Sequence, residues 1–74
     1  MTTRPISPPT PEAILAARKA AGLSQAQAAA VVHRPSYRTW QDWERGVARM
    51  PLDAWELFLL KTGQHPKARI QPFS

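Results

Sequence analysis

The sequence predicts an all-α fold, a small bundle of about four helices. Capping residues and stop glycines recur at helical distances, and apolar residues return at helical spacing between them. The clearest stretch runs from Ser24 to Gly46, where an Ala-rich helix and a Trp-rich, charged one flank a short break at His33-Arg34-Pro35. At 74 residues the chain makes one small domain with a limited core. The expected organisation is an N-terminal arm over 1–9, a helical domain over 10–63 and a C-terminal tail over 64–74.

Lys and Arg outnumber Asp and Glu by ten to five, a net charge of +5. Nucleic-acid binders show this balance, because neutralising phosphates releases counterions, although small solvated proteins show it too. The absence of cysteine excludes a disulfide framework and a thiolate metal site, and fits a reducing compartment. The start, MTTRPISPPTP, lacks the apolar segment of a signal peptide, and Leu57 to Leu60 is too short to cross a bilayer. A cytoplasmic protein with no membrane association is expected.

The arm holds Pro5, Pro8 and Pro9 and reads as extended, with Arg4 as its only charge. It is either an unstructured terminus or a basic arm touching phosphate or the minor groove. In the first helix Thr10 caps, Pro11 suits the first turn and Glu12 faces the positive helix end. Ile14, Leu15 and Arg18 share a face, and Gly22 stops the helix. Ser24 and Gln27 form a capping box for the second helix, whose Ala28, Ala29 and Val32 are expected inward. Pro35 cannot continue that helix. Ser36 caps the third, from Tyr37 to Arg45, with Gly46 after it.

Trp40 and Trp43 lie on one face of the third helix and are expected to pack over the small alanines. The opposite face carries Arg38, Gln41, Asp42 and Arg45, with Tyr37 at the entrance. Two short helices joined by a tight turn are the pattern of a helix-turn-helix, which presents its second helix to the major groove. Arg reads guanine edges, Gln reads adenine and Asp accepts from cytosine, while Tyr is more often a phosphate contact. A solvated polar face is the plainer alternative. Arg34 and Ser36 at the turn, and Arg49 on the basic connection from Val47 to Met50, extend this candidate DNA-binding surface.

Pro51 starts a fourth helix reaching about Thr62, with Gly63 beyond. Leu52, Trp55 and Leu59 make its stripe, Phe58 flanks it, and Leu57 and Leu60 fall outside. That surplus suggests a self-association face of Leu57, Phe58 and Leu60, joined by Ile70 and Phe73 of the tail. The tail otherwise reads as extended, with Ile70 and Phe73 either docked back on the helices or reaching a partner subunit.

The stretch Arg18-Lys19-Ala20-Ala21-Gly22-Leu23-Ser24-Gln25-Ala26-Gln27, followed by Trp43-Glu44-Arg45-Gly46, resembles the lambda-repressor-like (Cro or XRE) helix-turn-helix regulators over about residues 11 to 63. The pattern of Arg38-Thr39-Trp40-Gln41, Met50-Pro51 and Trp55-Glu56-Leu57-Phe58 is similar to small plasmid or phage repressors. The resemblance implies that Gln25 donates to a phosphate and braces the third helix, and that Tyr37, Arg38, Gln41 and Asp42 face bases or flanking phosphates. It further implies a backbone contact by Arg45 and a buried ion bridge between Arg18 and Glu44. The chain departs from the family in a turn one residue longer, in His33 where Gly is usual, and in a Pro-containing tail replacing the fifth helix.

The implied function is a transcriptional repressor binding double-stranded, inverted-repeat DNA as a homodimer, with no cofactor and no small-molecule ligand. Repression is expected because promoter occlusion needs only tight binding. Catalysis has little to stand on, since Glu12, Asp42, Glu44, Asp53 and Glu56 form no acid/base pair by sequence. His33 and His65 are too separated for a local metal motif, so no metal is expected. Two alternatives are an antitoxin that masks a toxin through helix 4 and the tail while autoregulating, and single-strand binding on exposed Trp.

Overall fold

Local hydrogen bonding sets where each helix starts. In the computed structural model, which describes residues 8–65, the elements are α1 (Pro11–Ala20), α2 (Gln25–Val31), α3 (Tyr37–Arg45) and α4 (Leu52–Lys61), with no strand among the described residues. Thr10 Oγ1 accepts the Ala13 amide at 3.1 Å, satisfying one of the free donors of the first turn of α1. The expected capping box opens α2: the Gln27 amide donates to Ser24 Oγ at 3.1 Å, and the Ser24 amide to Gln27 Oε1 at 2.9 Å. Ser36 Oγ accepts the Arg38 amide at 3.1 Å to start α3, which ends at Gly46 with φ of 77°. That left-handed backbone is one that side chains beyond Cα disfavour. Pro51 precedes α4 as its cap residue, one position earlier than a helical proline, and makes no side-chain capping bond.

The helices bury one shared core. Ala28, Ala29 and Val32 of the α2 end lie in it with Trp40 and Trp43 of α3, and the α2–α3 pairing is the most extensive helix contact. Small side chains on one helix admit large ones from the other, so the space fills without strain. Trp40 is fully buried and meets Trp43 edge-on at 5.5 Å between ring centroids. It also meets Phe58 of α4 at 4.8 Å, and Phe58 stacks with Trp55 at 6.5 Å. Such pairs add about 0.5–1.5 kcal/mol beyond their area. Met50 anchors the connection between α3 and α4 from inside the core.

Three expectations are corrected here. Leu15 does not share the buried face of α1: Ile14 and Ala17 fill it, and Leu15 is exposed. Phe58 is not available for self-association, being 0% exposed at the centre of the core, whereas Leu57 and Leu60 are half-buried. The inward face of α4 is Ala54, Trp55, Phe58 and Leu59, which recur at helical spacing of one, three and four residues. The tail does not begin at Gln64. The Gln64 and His65 amides both donate to the Leu59 carbonyl, at 2.7 and 3.1 Å, and Gln64 Nε2 donates to the Ala17 carbonyl at 3.1 Å, tying the ends of α4 and α1. Ile70, Phe73 and the arm before Pro8 lie outside the described residues.

Phe58→Ala should destabilise the domain by about 3–5 kcal/mol. Urea denaturation monitored by Trp fluorescence would show this as a large drop in midpoint, and an unchanged midpoint would return Phe58 to the surface.

Candidate nucleic-acid interface

The polar face of α3 exists because its other face is pinned. Positions 37, 38, 41, 42 and 45 fall within one side of a helix of 3.6 residues per turn, and Trp40, Trp43 and Glu44 fall on the other. Tyr37 is 50% exposed, Arg38 and Arg45 are exposed, and Gln41 and Asp42 are half-exposed. Exposed Arg49 continues the surface beyond Gly46, next to Val47, which is 66% exposed. An open groove of about 720 Å³ separates that connection from the start of α1, with Pro8 and Pro9 on one wall and Val47 and Arg49 among the other lining residues.

Glu44 holds this surface from behind. Its Oε2 accepts Arg18 Nε at 2.6 Å and Trp40 Nε1 at 2.5 Å, and its Oε1 accepts Arg18 Nη2 at 3.2 Å and Gln25 Nε2 at 3.0 Å. Two bonds on each oxygen fill the lone pairs of a carboxylate. The Arg18 fork is the bidentate geometry that charge-assisted pairs favour, and Arg18 Nη1 reaches the Leu23 carbonyl at 3.0 Å as well. The side chains of the ion pair are 15% and 7% exposed. Burial is the largest single influence on Glu44 and raises its pKa; the hydrogen bonds from Arg18, Gln25 and Trp40, with the Arg18 charge, outweigh it and hold the carboxyl below its ordinary value.

The pairing of Arg18 with Glu44 is thus present, partly buried rather than buried as the resemblance implied. Gln25 is positioned differently from a residue turned wholly to a phosphate: its amide nitrogen donates inward to Glu44, which makes the brace literal. Arg34 is half-buried, with its guanidinium 5.7 Å from the Trp43 ring centroid and Nη1 on the Val32 carbonyl at 3.1 Å. It covers the core edge under the turn rather than standing with Arg38 and Arg45. Ser36 is exposed, and its oxygen serves the cap.

Sequence reasoning missed the Trp40 bond to Glu44, although their i, i+4 spacing on α3 signals it. It also missed Lys61, which crosses from α4 to the end of α2. All three Trp are buried, so none forms a platform for unpaired bases. No group of three potential metal ligands occurs among the described residues, and no described helix is long and apolar enough to cross a membrane.

Searches of protein-family models and of curated proteins return no match to this chain.

A carboxylate with a lowered folded pKa contributes stability above its ordinary value of 4.5, and that contribution is lost as pH falls through the folded value. Thermal unfolding across the acid range should therefore show a midpoint falling below the ordinary Glu titration. Glu44→Gln should be less stable at neutral pH and flatter over the same range. Parallel curves for the two proteins would remove Glu44 as the acid-sensitive group.

Proposed function

We propose that the chain is a sequence-specific double-stranded DNA-binding transcriptional regulator, a cytoplasmic repressor that occupies an inverted-repeat operator as a homodimer. In this reading α2 and α3 act as a helix-turn-helix and α3 enters the major groove. The observation that carries it is the row of exposed Tyr37, Arg38 and Arg45 with half-exposed Gln41 on a helix whose opposite face is locked by Glu44. Base readout needs side chains with directional donors on a rigid element, since a helix free to roll would blur the register. Arg38 is suited to a guanine edge and Gln41 to adenine, with Tyr37, Arg45 and Arg49 on phosphates. The lambda-repressor-like resemblance of the Arg18–Gln27 and Trp43–Gly46 segments points the same way, as does the +5 charge. A dimer follows from the reach of one short helix, which reads only a few base pairs; two helices a turn of DNA apart multiply specificity. Small repressors of plasmids and phages are the setting this reading favours.

The antitoxin alternative rests on an apolar surface of α4 together with Ile70 and Phe73 of the tail, which lie outside the described residues. Burial of Phe58 removes the largest side chain from that surface and leaves Leu57 and Leu60 half-buried.

Selection of bound fragments from random DNA, with light scattering to count subunits, tests the proposal: an enriched palindrome and a dimer are expected, and an unenriched pool would refute it. On the selected site Arg38→Ala should cost about 1–3 kcal/mol and relax preference at one base pair. Equal weakening on selected and random DNA would instead make Arg38 a phosphate contact.

A further inference from the structure

The chain leaves α2 through a residue that is unfavourable in the conformation it adopts. His33 has φ of 61°, the only positive φ outside glycine among the described residues, and a left-handed backbone is disfavoured for residues with a side chain. Around it the free carbonyls at the end of α2 all find donors. The His33 amide donates to Ala30 at 3.0 Å and the Arg34 amide to Ala29 at 2.9 Å, the paired bonds that close a helix through a left-handed residue. The next two carbonyls are taken by cations. Arg34 Nη1 donates to Val32 at 3.1 Å, and Lys61 Nζ of α4 donates to Val31 at 3.0 Å. The same ammonium lies 3.1 Å from His33 Nε2. An ammonium offers only hydrogens, so this second contact uses a lone pair on the imidazole.

We propose that Lys61 is a positioning residue for the α3 face: it clasps the backbone and ring of the turn, fixes His33 in its left-handed state and so sets the angle at which α3 leaves α2. The proposal rests on the DNA-facing reading of α3. Lys61 lies 30 positions from Val31 in sequence, and the hydrogen-bond partners of its ammonium, the Val31 carbonyl and the His33 ring, both precede α3. Its effect on recognition is therefore indirect. A cation at a helix C-terminus also opposes the helix dipole, which favours the same arrangement.

The test compares wild type with Lys61→Met, which keeps much of the apolar stem and removes the donors. It uses amide exchange and affinity for the wild-type-selected fragment against a random one. The exchange of the His33 and Arg34 amides should rise about tenfold while the α1 interior stays protected. Affinity for the selected fragment should fall about tenfold with little change on random DNA. Placing Lys61→Met in a His33→Gly background should shrink that fall, because glycine takes the left-handed conformation unaided. Unchanged exchange at the turn, or a uniform rise through α1, would overturn the clasp. Equal loss on both fragments would make Lys61 a phosphate contact, and an undiminished loss with His33→Gly would break the link to the turn. A wild type that enriches no fragment refutes the DNA reading itself, and the exchange data then decide separately whether Lys61 holds the turn.

Discussion

The four hydrogen bonds on Glu44 are the constraint on which the arrangement of α1, α2 and α3 depends. One carboxylate on α3 is joined to Arg18 of α1 and Gln25 of α2, and Arg18 also holds the turn between those helices through the Leu23 carbonyl. Taking a charge out of water is costly, and a buried pair adds stability only when geometry and further hydrogen bonds compensate. Here the pair is partly buried; burial opposes the ionised carboxylate, and the hydrogen bonds from Arg18, Gln25 and Trp40 favour it. The result is specificity of placement. A nine-residue helix such as α3 is marginal alone, and burial of two Trp rings fixes only which side is inward. The carboxylate fixes its rotation and its height.

Packing and polar bonding reinforce one another through Trp40. Its ring shares the core with Ala28 and Ala29, meets Phe58 of α4, and gives its one donor to Glu44. A Phe at the same position would fill volume without the bond, and the indole is large enough to reach both. No buried side-chain nitrogen or oxygen among the described residues lacks a partner, which is what a core this small requires, since one orphaned polar group costs about 1–3 kcal/mol.

How much of this was legible in the sequence depended on how far apart the interacting residues lie. Thr10, Ser24 with Gln27, and Ser36 act within three residues, so the caps and three of the helix starts could be read directly. The inward Ala28, Ala29, Trp40 and Trp43 followed from helical spacing. Arg18 and Glu44 lie 26 positions apart, and only a family resemblance joined them. The face of α4 is harder to read because the helix is apolar on more than one side: projection centres the stripe on Leu52, Trp55 and Leu59, whereas the buried face is Ala54, Trp55, Phe58 and Leu59. Lys61 and Gln64 were unreadable for the same reason as the ion pair, since each meets a backbone carbonyl far away in sequence.

The distribution of cations gives the positive charge a meaning that its sum does not. Arg18, Arg34 and Lys61 are engaged by protein acceptors: one pairs with a carboxylate, and two close the end of α2, Lys61 from the surface. Their charges are tied to protein acceptors and shape the scaffold. Arg38, Arg45 and Arg49 are exposed and sit on or beside the polar side of α3. On the proposed reading, phosphate attraction then comes from few groups at close range, concentrated where base edges would be read. Asp42, half-exposed on the same side, works against nonspecific attraction, because a carboxylate near phosphates repels them unless a base amino group is there to meet it. On the proposed reading, a surface combining Arg38, Arg45 and Arg49 with one such acid favours a site whose bases meet both kinds of charge.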